Sequence, residues 1–125
     1  LMESQILFDE TMSSSNRPIN YEYNIEVSGQ SKGGIGYNCM GYYSLTSEIR
    51  NERFVWRMVG NPKILLYYSN QHWCIADKDV GVIMKVYSYV QSPYKIKAPW
   101  KVADGTDKTP IIIPKAVRLE RSLFI

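Results

Sequence analysis

Apolar side chains alternate with polar ones along much of this chain, and this two-residue period constrains the fold more than any other feature. From Tyr21 to Val27 every second residue is apolar, so an extended segment here would have one apolar face and one polar face. The i, i+3, i+4 spacing of a long amphipathic helix is not found, and the best helical candidate is a single turn at 46–50. The sequence therefore predicts an all-β protein with little or no helix.

Turn-forming residues recur between the apolar runs at intervals of about ten residues. The short connection at Asn70 and Gln71 predicts a hairpin in which 65–68 pairs antiparallel with 73–76. About eight short strands without helices favour a single antiparallel sandwich or a small barrel, because both architectures limit exposed edges. After the segment 21–27, strands are predicted at 41–46, 54–59, 63–69, 72–76, 82–90 and 100–103. One or two closing strands are predicted across 111–113 and 117–125.

The chain has the length and composition of one domain, with 125 residues of which 45% are hydrophobic. Residues 1–20 are polar and turn-rich, which predicts a flexible N-terminal arm, and the apolar run 6–8 could anchor this arm as an edge strand. The all-β domain then spans 21–125. Four glycines within 28–36 predict a loop that matches no phosphate-binding motif.

Catalytic chemistry has few candidate residues here, since the chain has one histidine, His72. His72 could form a nucleophilic dyad with Cys74 or Cys39, or a triad with Asp77 and a serine, but no supporting sequence motif accompanies these residues. The same residues could supply zinc ligands, yet the His-x-Cys spacing is not a common ligand pair. We interpret both cysteines as reduced core thiols, and we expect no enzymatic activity, no cofactor and no metal site.

Three lysines follow Pro93, at intervals of two and then four residues, and a second proline, Pro99, stiffens this segment. Alternation would place these lysines on one side of an extended chain, and we call Lys95, Lys97 and Lys101 the basic ridge. With the interleaved Tyr94 and Trp100 they form the predicted binding site, for a phosphoinositide, another anionic lipid or a nucleic acid. The other interpretation is a solvated strand face whose aromatic residues belong to the core.

Two pairs of adjacent tyrosines, Tyr42-Tyr43 and Tyr67-Tyr68, lie in predicted strands. Adjacent residues of a strand point to opposite faces, so one member of each pair is expected in the core and the other on a contact surface. The other expected core residues are Leu45, Trp56, Leu66, Trp73, Ile75 and Val86.

Several short motifs follow one another along the chain in an order that resembles a known family. They are Tyr43-Ser-Leu45, Asn51-Glu-Arg-Phe-Val-Trp56, Leu66-Tyr-Tyr-Ser69, Trp73-Cys-Ile-Ala-Asp77, Ser92-Pro93 and Pro99-Trp100. This order and spacing resembles an uncharacterised small all-β module of large modular eukaryotic proteins. Glu52, Phe54 and Ala76 depart from the residues usual in that module, which affects the local turns. The resemblance implies an all-β fold and a structural or interaction role, and it implies no catalytic residue.

The function expected from these observations is that of a non-catalytic protein-interaction or structural module, part of a larger protein, with a protein partner. The alternative is an anion-binding module that uses the basic ridge, and the net charge of +3 is too small to favour it by itself. The sequence also predicts no signal peptide and no transmembrane segment. We therefore expect a soluble, intracellular and cytoplasmic protein.

Overall fold

The computed structural model describes residues 23–115, and these form eight strands and two short 3-10 turns. The two turns lie at Tyr37–Cys39 and Pro93–Lys95, and the described residues include no α-helix. The all-β prediction is therefore confirmed. The strands are β1 (Asn24–Ser28), β2 (Gly41–Arg50), β3 (Arg53–Met58), β4 (Ile64–Ser69), β5 (His72–Asp77), β6 (Gly81–Tyr87), β7 (Lys101–Val102) and β8 (Ile111–Lys115).

All eight strands belong to one antiparallel sheet in the order β7-β6-β5-β4-β3-β2-β1-β8, which curls into a half-barrel. Strands β1 to β7 form a meander, and β8 returns to pair with β1. The predicted arm at 1–20 and the predicted strand at 117–125 lie outside the described residues. Among the residues that the structure describes, no helix is long and apolar enough to cross a membrane.

Two hairpins are closed by residues in the left-handed backbone region. Asn70 and Gln71 have φ values of 50° and 61°, and they join β4 to β5 in the register that pairs Tyr68 with Trp73. Positive φ at both central residues fits the twist of the flanking strands, as in a type I′ turn. The predicted hairpin is confirmed. Asn51 and Glu52 form a similar turn between β2 and β3, at φ values of 54° and 67°.

The best helical candidate in the sequence, 46–50, forms no helical turn, because this segment is the second half of β2. Leu45 pairs with Trp56 and Ile49 pairs with Phe54, so four residue steps on β2 face two on β3 and a bulge results. The Thr46 hydroxyl stabilises the bulge, since it donates a 2.6 Å hydrogen bond to the Val55 carbonyl on β3. Pairing with a neighbouring strand therefore decides the conformation of a segment whose local propensity is ambiguous.

The core lies on the inner face of the curled sheet, where three tryptophans are buried. The Trp56 and Trp73 rings pack 6.0 Å apart, and Trp100, in the segment that follows β6, belongs to the same buried cluster. The predicted core residues are buried, except that Leu45 is half-buried against the core. The loop before β2 also covers this face, because a Cβ on Gly36 would collide with the terminal methyl of Met84.

Candidate functional site

The basic ridge begins in the 3-10 turn after β6, at Lys95, and ends at Lys101, the first residue of β7. Lys95, Lys97 and Lys101 are all exposed, as alternation predicted. The two aromatic residues face the other way: Tyr94 is half-buried against the core and Trp100 is 1% exposed. The segment therefore presents lysine side chains to solvent and its large aromatic rings mainly to the protein interior.

The charges of the ridge are not equivalent. The Lys101 ammonium lies 2.7 Å from an Asp107 carboxylate oxygen, whereas Lys95 and Lys97 form no ion pair within the described residues. Lys101 also stands directly across from Lys85 in the pairing of β7 with β6. Lys85 could not be assigned to the basic surface from the sequence, because the register of two strands separated by a long connection cannot be read from alternation alone.

Two side chains of the sheet, Arg53 and Trp73, fix the start of this connection. The Arg53 guanidinium donates hydrogen bonds to the carbonyl oxygens of Val90 (3.0 Å) and Tyr89 (2.7 Å) and lies 3.7 Å from the centre of the Tyr68 ring. The Trp73 indole N–H also donates to the Val90 carbonyl, at 3.1 Å. These bonds explain why β6 ends at Tyr87 although alternation continues to Val90: carbonyls beyond the strand accept from side chains rather than from a neighbouring strand.

Three aromatic rings form a contiguous row on the outer face of β5 and β6 and just beyond β6. His72 and Tyr87 are cross-strand partners with ring centroids 5.5 Å apart, and Tyr87 and Tyr89 follow at 5.4 Å, both pairs with edge-on geometry. The two tyrosine hydroxyls are 2.7 Å apart, and their rings are exposed by 55% and 63%. We call His72, Tyr87 and Tyr89 the aromatic surface. The Tyr-x-Tyr spacing of residues 87 and 89 is the feature of the sequence that could have indicated this surface.

The adjacent tyrosine pairs divide between the two faces as expected. Tyr43 is fully buried and Tyr42 is 57% exposed, while Tyr68 is buried and Tyr67 is half-buried on the outer face. The Arg50 guanidinium lies 4.8 Å from the centre of the Tyr67 ring, which restricts the access of a partner to that ring. Of the four tyrosines, Tyr42 is therefore the one with a mostly exposed ring.

Both cysteines are buried and free of a disulfide bond: Cys39, in the 3-10 turn before β2, belongs to the core cluster, whereas Cys74 lies on β5 outside that cluster. The hydrogen bond of the Cys74 thiol goes to the His72 carbonyl, at 3.8 Å, rather than to the imidazole ring. Burial, with a smaller effect of Asp77, raises the pKa of the Cys39 thiol to about 11. Burial also raises the pKa of Cys74, although the Lys85 ammonium opposes that shift. Both thiols are thus protonated at neutral pH, which lowers their nucleophilicity.

Residues 23–115 contain no cluster of three or more histidine, cysteine, aspartate or glutamate side chains placed to hold a metal ion. The single histidine has its Nδ1 atom 2.7 Å from the Asn70 carbonyl oxygen, which fits a proton on Nδ1 and leaves Nε2 directed elsewhere.

Two adjoining cavities lie beside the aromatic surface. The smaller one, of about 150 Å³, is lined by Tyr67, His72 and Cys74 among others. The larger one, of about 330 Å³, lies where β7 meets the turn at 103–105. Lys85 and Val82 line both cavities, so a single lysine lies at the boundary between them.

Comparisons of this chain with known proteins found no match. A scan against protein-family models gave no match, and searches of curated proteins and of solved structures gave no significant match.

Proposed function

We propose that this domain is a non-catalytic protein-interaction module and that it contacts its partner through the aromatic surface. The row of edge-on rings formed by His72, Tyr87 and Tyr89 supports this proposal most directly. Mutual contacts already order these side chains, so a partner would gain contact area at a small cost in side-chain entropy. The resemblance to the modular all-β family implies the same kind of role.

A protein partner suits the chemistry of this surface. Tyrosine offers an apolar ring and a hydroxyl at once, and it is enriched at the centres of protein interfaces together with arginine. Arg53 donates a hydrogen bond to the Tyr89 carbonyl, so the backbone that carries the Tyr89 ring is held by a side chain of β3. Val82, 44% exposed on the same strand as Tyr87, adds apolar area nearby. A contact that buries Val82 together with the aromatic surface would combine an aromatic centre with an apolar margin.

Substitution of the two exposed tyrosines tests the proposal. The double variant Tyr87→Ser/Tyr89→Ser removes two rings of the aromatic surface, and Tyr42→Ser is the matched control because its ring is 57% exposed on β2, four strands away. A photo-crosslinker is placed at Ser69, which pairs with His72 across β4 and β5 and lines the same cavity. Quantitative mass spectrometry then compares partner capture by this protein with capture by each variant that carries the same crosslinker. We expect the double variant to lose the crosslinked partner and the control to keep it. Equal capture by both variants would refute the proposed surface.

The second candidate function is an anion-binding module, which the exposure of Lys95 and Lys97 without ion pairs among described residues supports. Binding to phosphoinositide-containing liposomes and to a short oligonucleotide would be measured at two salt concentrations. The second function predicts binding that weakens with salt and that Lys95→Glu/Lys97→Glu abolishes. Absence of binding at low salt would remove this function from consideration.

A further inference from the structure

Strand β7 covers only part of β6. It pairs with β6 at Met84 and Lys85, so within the described residues no strand lies beside Gly81–Ile83 on that side. The larger cavity occupies this place, between the start of β6 and the turn at 103–105. A strand edge without a neighbour offers backbone hydrogen-bonding groups to another extended chain.

Two lysines stand at the end of this edge, and only one of them has an ion pair among the described residues. Lys85 forms no ion pair within the described part of the chain, and Lys101 stands directly across from it. Like charges directly opposite each other in a sheet repel, and an anion between them relieves the repulsion. The carboxylate of Asp107, 2.7 Å from the Lys101 ammonium, already supplies one anion, but Lys85 is left without one.

Apolar side chains surround the same position. Val80 and Val82 are 73% and 44% exposed, and Val82 lines both cavities together with Lys85. The larger cavity has room for one apolar side chain of a ligand, and the smaller cavity connects Lys85 to His72 in the aromatic surface. The complementary ligand therefore has an anionic group next to an apolar group.

We propose that the partner binds as an extended acidic peptide segment that lies along Gly81–Ile83, with a carboxylate on Lys85 and a neighbouring apolar side chain in the larger cavity. This inference rests on the proposed function, because it assigns the chemistry of the partner that the aromatic surface contacts. A peptide is favoured over a small anion because the uncovered strand edge, the apolar cavity and the lysine lie in one line along β6.

The test uses the full chain and two synthetic peptides of about ten residues, the length of a long strand. One peptide alternates valine with glutamate, and the other has glutamine in place of glutamate, so that the two differ only in charge. Binding is followed by fluorescence anisotropy, and the site is mapped by amide chemical shifts. The variants are Lys85→Glu, the charge-retaining Lys85→Arg, and Lys32→Glu as a control on an exposed lysine of the glycine loop.

We expect the acidic peptide to bind at least about tenfold more tightly than the glutamine peptide, a difference of about 1.4 kcal/mol. Lys85→Glu should abolish this preference, while Lys85→Arg and Lys32→Glu should keep it. The shifted amides should lie at 81–85 and 103–105. Equal affinity of the Lys85→Glu variant, shifts confined to the basic ridge, or binding of neither peptide would each overturn the inference.

Two other occupants of the edge give distinct results. A second copy of the chain would produce a mass that rises with concentration in sedimentation equilibrium, and a segment of the same chain would protect the amides at 81–83 from hydrogen exchange without peptide. Either result overturns the inference.

The partner crosslinking assay separates this inference from the proposed function. If Tyr87→Ser/Tyr89→Ser loses the partner and Lys85→Glu keeps it, the proposed function stands and the acidic-peptide inference fails. If the double-serine variant keeps the partner while Lys85→Glu loses the acidic peptide, the surface proposed for the function is wrong and the site at Lys85 stands.

Discussion

Replacement of Arg53 by methionine should destabilise the domain and loosen the start of the β6–β7 connection. The guanidinium donates to the carbonyls of Val90 and Tyr89 and lies 3.7 Å from the centre of the Tyr68 ring. For partly exposed hydrogen bonds from a charged donor we take about 1 kcal/mol each, and about 0.5–1 kcal/mol for the cation–π contact. The expected loss in the free energy of unfolding is thus about 2.5–3 kcal/mol. Arg53→Lys should lose less, since the charge remains but the forked donor does not.

Urea unfolding followed by tryptophan fluorescence measures this loss, because all three tryptophans lie in the core. Arg57→Met is the matched control: Arg57 is an exposed arginine on the same strand, and its side chain makes no hydrogen bond or ion pair within the described residues. If the two methionine variants lose the same free energy, the reasoning about Arg53 fails. Arg53→Met should also weaken partner crosslinking, because Tyr89 loses its fixed backbone.

Two further outcomes are expected. Gly36→Ala should lose more free energy of unfolding than Gly33→Ala. Both glycines have a left-handed φ, but only a Cβ at Gly36 would meet the Met84 side chain. Equal losses in thermal or urea unfolding would contradict close packing of that loop. Burial raises the pKa of Cys39 from 9.0 to about 11 and also raises that of Tyr43, so the contribution of these protonated groups to stability should be fully present below about pH 9. The contribution of Cys39 should be lost as the pH rises from about 9 to about 11. Urea titrations at several pH values should show a shallower fall in the free energy of unfolding for Cys39→Ala, and an unchanged slope would refute this cause.

The sequence predicts the strands of this fold well because the deciding interactions are local. The turn at Asn70 and Gln71 fixes the pairing of β4 with β5, and alternation then assigns each tyrosine of a pair to a face. The segment 46–50 shows the limit of this reasoning. Its polar residues are compatible with a helical turn, and the hydrogen bond of Thr46 to the neighbouring strand decides against it.

The candidate site was less predictable, since it depends on pairs of residues brought together across strands. Alternation placed Lys95 and Lys97 on the exposed side, but it could not show that Lys101 meets Asp107 and faces Lys85. The contact of His72 with Tyr87 likewise requires the register of β5 against β6, which includes a bulge between Ile75 and Ala76. A one-residue change in register would move such a side chain to the other face.

The order of strands in the sheet has a consequence for how quickly the domain folds. Strands β1 to β6 each pair with the next strand in the chain, so most of the meander can form by successive closure of short loops. The pairing of β1 with β8 is different, because it joins Asn24 to Lys115 across almost the whole described chain. Closing so long a loop costs more chain entropy and lowers folding rates. We therefore expect the arrival of β8 at β1 to be the late, rate-limiting event.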